Sequence, residues 1–283
     1  MSALPLPTLI IEPLVRAALV EDLGRAGDIT TDAIVSGEAR ANTALVARAP
    51  GMVAGLDPAL LAFKLIDPTI VASVCRPDGT HLSPGDVIGT VSGPTRGILT
   101  AERVALNFLC HLSGIATATA AIVEAVRGTR ARITCTRKTT PGLRAVQKYA
   151  VRVGGGANHR FGLDDAVLIK DNHVAAAGGV GAAIKAARAA VGHLVKIEVE
   201  VDSLRQLEEA LATGADAVLL DNMTPQTLTE AVRMIDGRAI SEASGRITPA
   251  TAPAIAAAGV DLISAGWLTH SAAVLDIGLD WRH

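Results

Sequence analysis

Five run ends carry side chains suited to chemistry. Lys170 closes AVLI, Glu200 lies in KIEVEVD, Asp221 closes AVLL, Ser244-Gly245 follow Glu242, and Gly266 follows LISA. A base, two carboxylates and two small turns can hold an anion at one end and hydroxyls or a divalent cation in the middle. Turns without bulky side chains let backbone N–H groups approach a phosphate. One strand-end Asp or Ser is more often a helix cap. Five at successive run ends read instead as a binding rim.

The charge map adds a second signal. From Ala125 to Leu163 there is no Asp or Glu, yet the stretch holds nine basic side chains between Arg127 and Arg160. A solvated surface intersperses signs. A basic face docked on an acidic partner would explain the run, and so would a pocket for a multiply anionic small molecule. Arginine forks match carboxylate and phosphate geometry, which favours the pocket. Gly154-Gly155-Gly156, inside the run, lets backbone approach a ligand closely, although three glycines alone are a weak motif.

Two textures must position these groups. Up to about residue 100, apolar runs alternate with turn dipeptides. This predicts helices over 13–23 and 58–66 and strands over 43–49, 70–75 and 87–91, with neighbouring strands antiparallel. From about residue 130, β-branched runs alternate with Ala-rich ones. Strands are expected at 132–136, 166–169, 195–201, 217–220, 238–241 and 262–264, with helices at 180–191, 204–212, 225–235 and 249–258. That alternation implies a parallel sheet with right-handed crossovers. No early GxGxxG turn is present, so a closed or nearly closed barrel fits better than a doubly wound sheet, and barrel sites lie at the C-terminal strand ends.

Composition excludes several classes. The 283 residues carry a formal net charge of −2, with 49% hydrophobic and 19% charged residues. This is neither a disordered chain nor a generally cationic nucleic-acid or membrane-surface binder. Aromatics are only 2%, so stacked aromatic platforms are not expected. Three cysteines without a CxxC pair form neither a disulfide framework nor a zinc site, and a reducing cytoplasm is the default. The N-terminal segment does not read as a signal peptide. The uncharged stretch 104–123 holds Asn107, His111, Ser113, Thr117 and Thr119, so it reads as a buried helix and not a membrane span.

The stretch TRKTTPGLRAVQKYAVRVGGGANHRFGLDDAVLIKDNH (136–173) resembles the quinolinate phosphoribosyltransferase family. The likeness continues in EDLGRAGDITTDAI (21–34), GILTAERVALNFLCHLSGIATAT (97–119), IEVEVDSL (197–204), LLDNM (219–223), EASGRIT (242–248) and GVDLISAGWLTHSA (259–272). It spans nearly the whole chain. The resemblance implies an N-terminal α+β open-faced sandwich, residues 1–113, and an incomplete α/β barrel, residues 114–270, with the tail 271–283 packing back on the first domain. It implies conversion of quinolinate and phosphoribosyl pyrophosphate to nicotinate mononucleotide, CO₂ and pyrophosphate in NAD biosynthesis, by a cytoplasmic homodimer, or a higher oligomer, with shared active sites. No nucleic-acid or membrane partner is expected.

By the same resemblance, Thr136, Arg137, Lys138, His159, Arg160 and Lys170 form the cationic pocket for the dicarboxylate, and Arg103 reaches in from the other subunit. Glu200 and Asp221 hold ribose hydroxyls and the Mg²⁺ that accompanies phosphoribosyl pyrophosphate. Ser244, Gly245, Ala265 and Gly266 hold the 5′-phosphate. Lys138, Lys170, Glu200 and Asp221 are the groups expected at the reacting atoms. His111 reads as a core or interface residue, and Lys148 and Arg152 as helix-surface or subunit-contact residues. Arg246 stands where the family usually has a second glycine, and Trp267 is bulkier than the pattern. Two rival readings remain: a Schiff-base aldolase or decarboxylase acting through Lys170, and a non-catalytic ligand-binding paralogue.

Overall fold

The computed structural model describes residues 4–282. The chain forms two compact units. One contains the chain up to Ala120, Thr139–Gly155, and the segment from Thr269 onward; the other contains Ala121–Lys138 and Gly156–Leu268.

The first unit is built on an antiparallel sheet in the order Ile277–Trp281, Arg40–Ala47, Val87–Pro94, Val71–Val74. Alternation along the second strand buries Ala41, Thr43 and Leu45, and the buried Thr43 hydroxyl donates to the Val91 carbonyl at 2.9 Å. A core of Leu45, Phe63, Ile88, Ile98, Leu109 and Ile277 joins this sheet to the helices Thr8–Leu23, Leu56–Ile66 and Thr95–Ala125. The first helix starts five residues ahead of Pro13, which lies inside it. The expected buried helix is longer than its uncharged stretch, running 31 residues from Thr95 to Ala125. By length and composition it could cross a membrane, but Ile98, Ala101, Ala105, Leu109, Leu112, Ile115 and Ala116 along it are buried.

Arg144–Val153 is a helix whose bounds were not among those expected, although Lys148 and Arg152 were placed on a helix surface or subunit contact. Its residues Val146 to Val151 are all buried. Lys148 is among them, which corrects its expected place on a helix surface.

The second unit carries six parallel strands in the order Arg132–Thr134, Leu262–Ser264, Ile240–Ser244, Ala217–Asp221, Ile197–Val201, Val167–Ile169. Helices Val180–Ala190, Leu204–Thr213, Pro225–Ile235 and Ala252–Ala257 alternate with them. This is the expected parallel α/β barrel-like architecture, with the ladder open between its first and last strands. Expected strands 132–136 and 195–201 are shorter, Arg132–Thr134 and Ile197–Val201, and the largest shift is at 238–241, which becomes Ile240–Ser244. Asp236 and Gly237 both take left-handed backbone, and Arg238 folds back so that its N–H and Nε–H donate to the Ile235 carbonyl. The strand therefore starts later, which puts Glu242 within it and Ser244 at its end.

Gly114 tests the packing of the long helix. A Cβ there would lie 2.1 Å from the Ala273 carbonyl oxygen and 3.0 Å from Val274 Cα, both backbone atoms. Gly114→Ala is expected to cost about 1–3 kcal/mol by overpacking. Gly37→Ala meets nothing within 4 Å, and should stay within about 0.5 kcal/mol of the parent. Thermal melts of the two variants check the contrast.

Candidate active site

Successive side chains on a strand face opposite ways. Along Ile197–Val201, Ile197, Val199 and Val201 are fully buried on one face, and Glu198 and Glu200 share the other. The same parity pairs Leu219 with Asp221 and Glu242 with Ser244, while Val218, Leu220 and Ala243 are buried opposite. Register places Ser244 beside Asp221 and Glu200 beside Leu219. Burial separates the carboxylates into two layers, Glu200 and Asp221 partly exposed near the C-terminal strand ends and Glu198 and Glu242 buried deeper.

Lys170 follows the strand Val167–Ile169. Its Nζ donates to Glu200 Oε2 at 2.8 Å, with half of the lysine side chain exposed. Its backbone N–H donates to His173 Nδ1 at 2.9 Å, which starts the helix Asp171–Ala177. Asp221 Oδ2 accepts from Asn222 Nδ2 at 2.6 Å.

Thr136, Arg137 and Lys138 form a turn just beyond the strand Arg132–Thr134, and the Lys138 N–H donates to Thr136 Oγ1 at 3.0 Å. Arg137 Nε is shielded from solvent and has no hydrogen-bond acceptor. Arg160 Nη1 donates to the Ala166 carbonyl at 3.0 Å. Burial, and then the charge of Arg137, hold the Arg160 guanidinium below its ordinary value. Two guanidinium groups that repel each other, one with an unmet buried donor, form a place for an anion.

His159 faces inward. Its Nδ1 accepts from the Arg160 backbone N–H at 2.7 Å, so the ring proton belongs on Nε2, 3.0 Å from Glu198 Oε2 and 3.6 Å from Glu242 Oε2. Among the described residues these three form a group of metal-ligand composition, their donor atoms within 4.8 Å of one another. A metal would need the Nε2 lone pair, which the proton occupies while Nδ1 is an acceptor. The geometry is that of a hydrogen-bonded network. Sequence reasoning missed Glu198 and Glu242 as members of the site. The signal was present in the alternation of IEVEV and SEAS, which places them beneath Glu200 and Ser244.

The loop at the end of Ile240–Ser244 is tightly built. The Asn222 N–H donates to the Ser244 carbonyl at 3.0 Å, and a Cβ on Gly245 would meet Asn222 Oδ1 at 2.2 Å. Gly245 has φ +104° and Arg246 φ +50°, so the arginine occupies a backbone conformation that suits glycine, with its side chain exposed. Trp267 fits because its indole N–H donates to the Ile247 carbonyl at 2.8 Å. The Ala265 N–H is already used by the Thr134 carbonyl, at 3.0 Å. All the expected site residues but Arg103 lie in the second unit; Arg103 is exposed on the helix Thr95–Ala125 of the first.

Fold and site together define an α/β-barrel enzyme for anionic substrates. Residues 28–113 match the N-terminal domain model of quinolinate phosphoribosyl transferase, and residues 115–280 match its C-terminal domain model. Nicotinate-nucleotide pyrophosphorylase [carboxylating] of Mycobacterium leprae is 50% identical over 94% of this chain and 95% of its own length. The Homo sapiens protein of that name is 42% identical over 96% of this chain and 93% of its own length. The crystal structure of NadC from Streptococcus pyogenes superposes with a TM-score of 0.94 at 44% identity, covering 99% of this chain and all of that one. The chain belongs to the quinolinate phosphoribosyltransferase family.

The deep layer has a measurable signature. Burial, and then the charge of Glu198, push the Glu242 carboxyl up to about 7 from 4.5. A carboxyl raised in the fold favours the folded state most while protonated. That contribution is complete below the unfolded value of 4.5 and is lost as pH rises through about 7. Glu242→Gln, which mimics the protonated form, should therefore gain stability relative to the parent between pH 5 and 8, by on the order of 3 kcal/mol. Unfolding of both proteins across that range measures the difference.

Proposed function

We propose that this site joins quinolinate to phosphoribosyl pyrophosphate and releases CO₂ and pyrophosphate, giving nicotinate mononucleotide for NAD biosynthesis. The observation that carries the reading is the Arg137–Arg160 pair: a buried guanidinium N–H without an acceptor, beside a second cation. Lys138 and Lys170 add charge around it, and His159 fixes the Arg160 backbone. A dicarboxylate supplies two anions to this surplus of cations, where a monocarboxylate supplies one.

Phosphoribosyl pyrophosphate occupies the strand ends beyond. The backbone around Ser244, Gly245 and Gly266, with Ala265 at its edge, cradles the 5′-phosphate, and Glu200 and Asp221 face the ribose hydroxyls. The donor set fits Mg²⁺, since both residues offer hard carboxylate oxygens and each has one oxygen outside the bonds to Lys170 and Asn222. Glu200 and Asp221 would hold the ion, which supplies charge neutralisation at the departing pyrophosphate.

The pyridine nitrogen attacks the anomeric carbon, the bond to pyrophosphate breaks, and the nitrogen becomes cationic. That cation stabilises the electron pair left at C2 when CO₂ departs, and a proton then replaces the carboxylate. No covalent enzyme intermediate is needed. The side chains hold two mutually repelling anions in reacting orientation. A Schiff-base reading of Lys170 fits less well, because its Nζ is ion-paired with Glu200 and half exposed, not set in an apolar pocket.

We further read the working form as a cytoplasmic homodimer in which Arg103 serves the partner's site. No nucleic acid or membrane takes part.

Purified protein should turn over quinolinate with phosphoribosyl pyrophosphate, and nicotinate should not replace quinolinate. Equal turnover with nicotinate would refute the dicarboxylate pocket. Lys138→Ala and Arg160→Ala should each lower kcat/KM by roughly tenfold to a hundredfold while leaving the protein folded, the cost of one charge-assisted contact to a bound anion. For Arg103, inactive Arg103→Ala and inactive Lys170→Ala proteins are mixed and re-associated. A shared-site dimer regains up to about a quarter of the parent activity, since about half the dimers are mixed and each has one intact site. With exchange verified, no recovery would place Arg103 in its own subunit's site or outside any site.

A further inference from the structure

The residues just after the Arg137–Lys138 turn are tied down by a group that the reaction does not use. Gln147 is fully buried in the helix Arg144–Val153. Its Oε1 accepts from the Thr140 backbone N–H at 3.0 Å. Its Nε2 donates to Thr140 Oγ1 at 2.8 Å and lies 2.8 Å from His111 Nε2.

The chemistry of these atoms fixes every proton. The Thr140 N–H can only donate, so the amide oxygen must face it, and the amide NH₂ must face both Thr140 Oγ1 and His111. With a donor opposite, His111 Nε2 must be the bare nitrogen and Nδ1 must carry the ring proton. Burial lowers the His111 pKa, which favours the same neutral form. A lysine or arginine at 111 would set donor against donor. The histidine lies near the most basic stretch of the sequence, yet it serves as an acceptor and not as a cation.

We infer that His111 and Gln147 are positioning residues that hold Thr140, and through it the Arg137–Lys138 turn, in the conformation that receives the dicarboxylate. Thr140 is two residues beyond Lys138, and Pro141 follows it, which restricts the Thr140 backbone. Few free torsions separate the pinned residue from the two cations. This inference rests on the reading of that turn as the dicarboxylate pocket.

The test compares His111→Leu, which removes the acceptor, with His111→Gln, which returns an acceptor oxygen near the Nε2 position. His111→Leu is expected to raise KM for quinolinate at least about fivefold, with KM for phosphoribosyl pyrophosphate changed less than twofold. The size is that of leaving one buried donor unmet. His111→Gln should recover most of the loss. An unchanged quinolinate KM in His111→Leu, an equal rise in both KM values, or no recovery in His111→Gln would each overturn the proposal. Should His111→Leu fail to fold, Thr140→Val carries the same KM comparison, because Thr140 is exposed and loses only its hydroxyl. Should the unaltered protein not turn over quinolinate, the proposed function fails instead. Hydrogen exchange at the Thr140 amide then decides the positioning claim: faster exchange in His111→Leu supports it, and unchanged protection overturns it.

Discussion

The parity of parallel strands is the constraint on which this site depends. Once Val199, Val201, Val218 and Leu220 are committed to the buried face, every second residue must face the other way. Glu198, Glu200, Asp221, Glu242 and Ser244 follow from that commitment. A one-residue slip in register would send carboxylates into the aliphatic packing and valines into the site. The hydrophobic contacts on one face therefore fix the electrostatics of the other. This explains how weak, non-directional packing can hold charged groups at hydrogen-bond distance.

Charge is managed differently at the two depths. At the strand ends, acids and bases pair openly, as in Lys170–Glu200, and remain available to solvent or ligand. In the deeper layer, Glu198 and Glu242 flank one imidazole N–H, and burial leaves Glu242 reluctant to ionise. A Glu242 carboxyl that resists ionisation adds little negative charge against the nearby cations. On the proposed reading of this region as the dicarboxylate pocket, Arg137 keeps its attraction for an anion because no acceptor meets its Nε.

Much of this was legible in the sequence. The alternation of β-branched and Ala-rich runs announces the six parallel strands, and the missing acids between 125 and 163 mark the cationic region independently of any family likeness. The helix Arg144–Val153 was harder to read, because Gln147, Lys148 and Tyr149 look solvent-exposed in a linear pattern. All three are buried, and two of them show why: Gln147 meets His111 and Thr140, and the Tyr149 hydroxyl donates to Asp78 Oδ2 at 2.7 Å. His111 and Asp78 are remote in sequence, so no local period announces them. The start of Ile240–Ser244 was misjudged for a related reason. The left-handed Asp236-Gly237 turn folds Arg238 back onto the Ile235 carbonyl, so Arg238 and Ala239, the first two residues expected in the strand, lie outside it.

The first unit is assembled from three separate stretches of chain, and its sheet is edged by Ile277–Trp281 paired antiparallel with Arg40–Ala47. On the ribosome, the partner for residues 40–47 is thus synthesised more than two hundred residues later. The nascent N-terminal sheet must wait with one edge bare, while the strands of the parallel unit emerge and can begin to pair. Completion of the first unit waits on that distant segment and carries the loop-closure cost of the separation. The waiting edge is the place where a chaperone, or a wrong strand, would bind first.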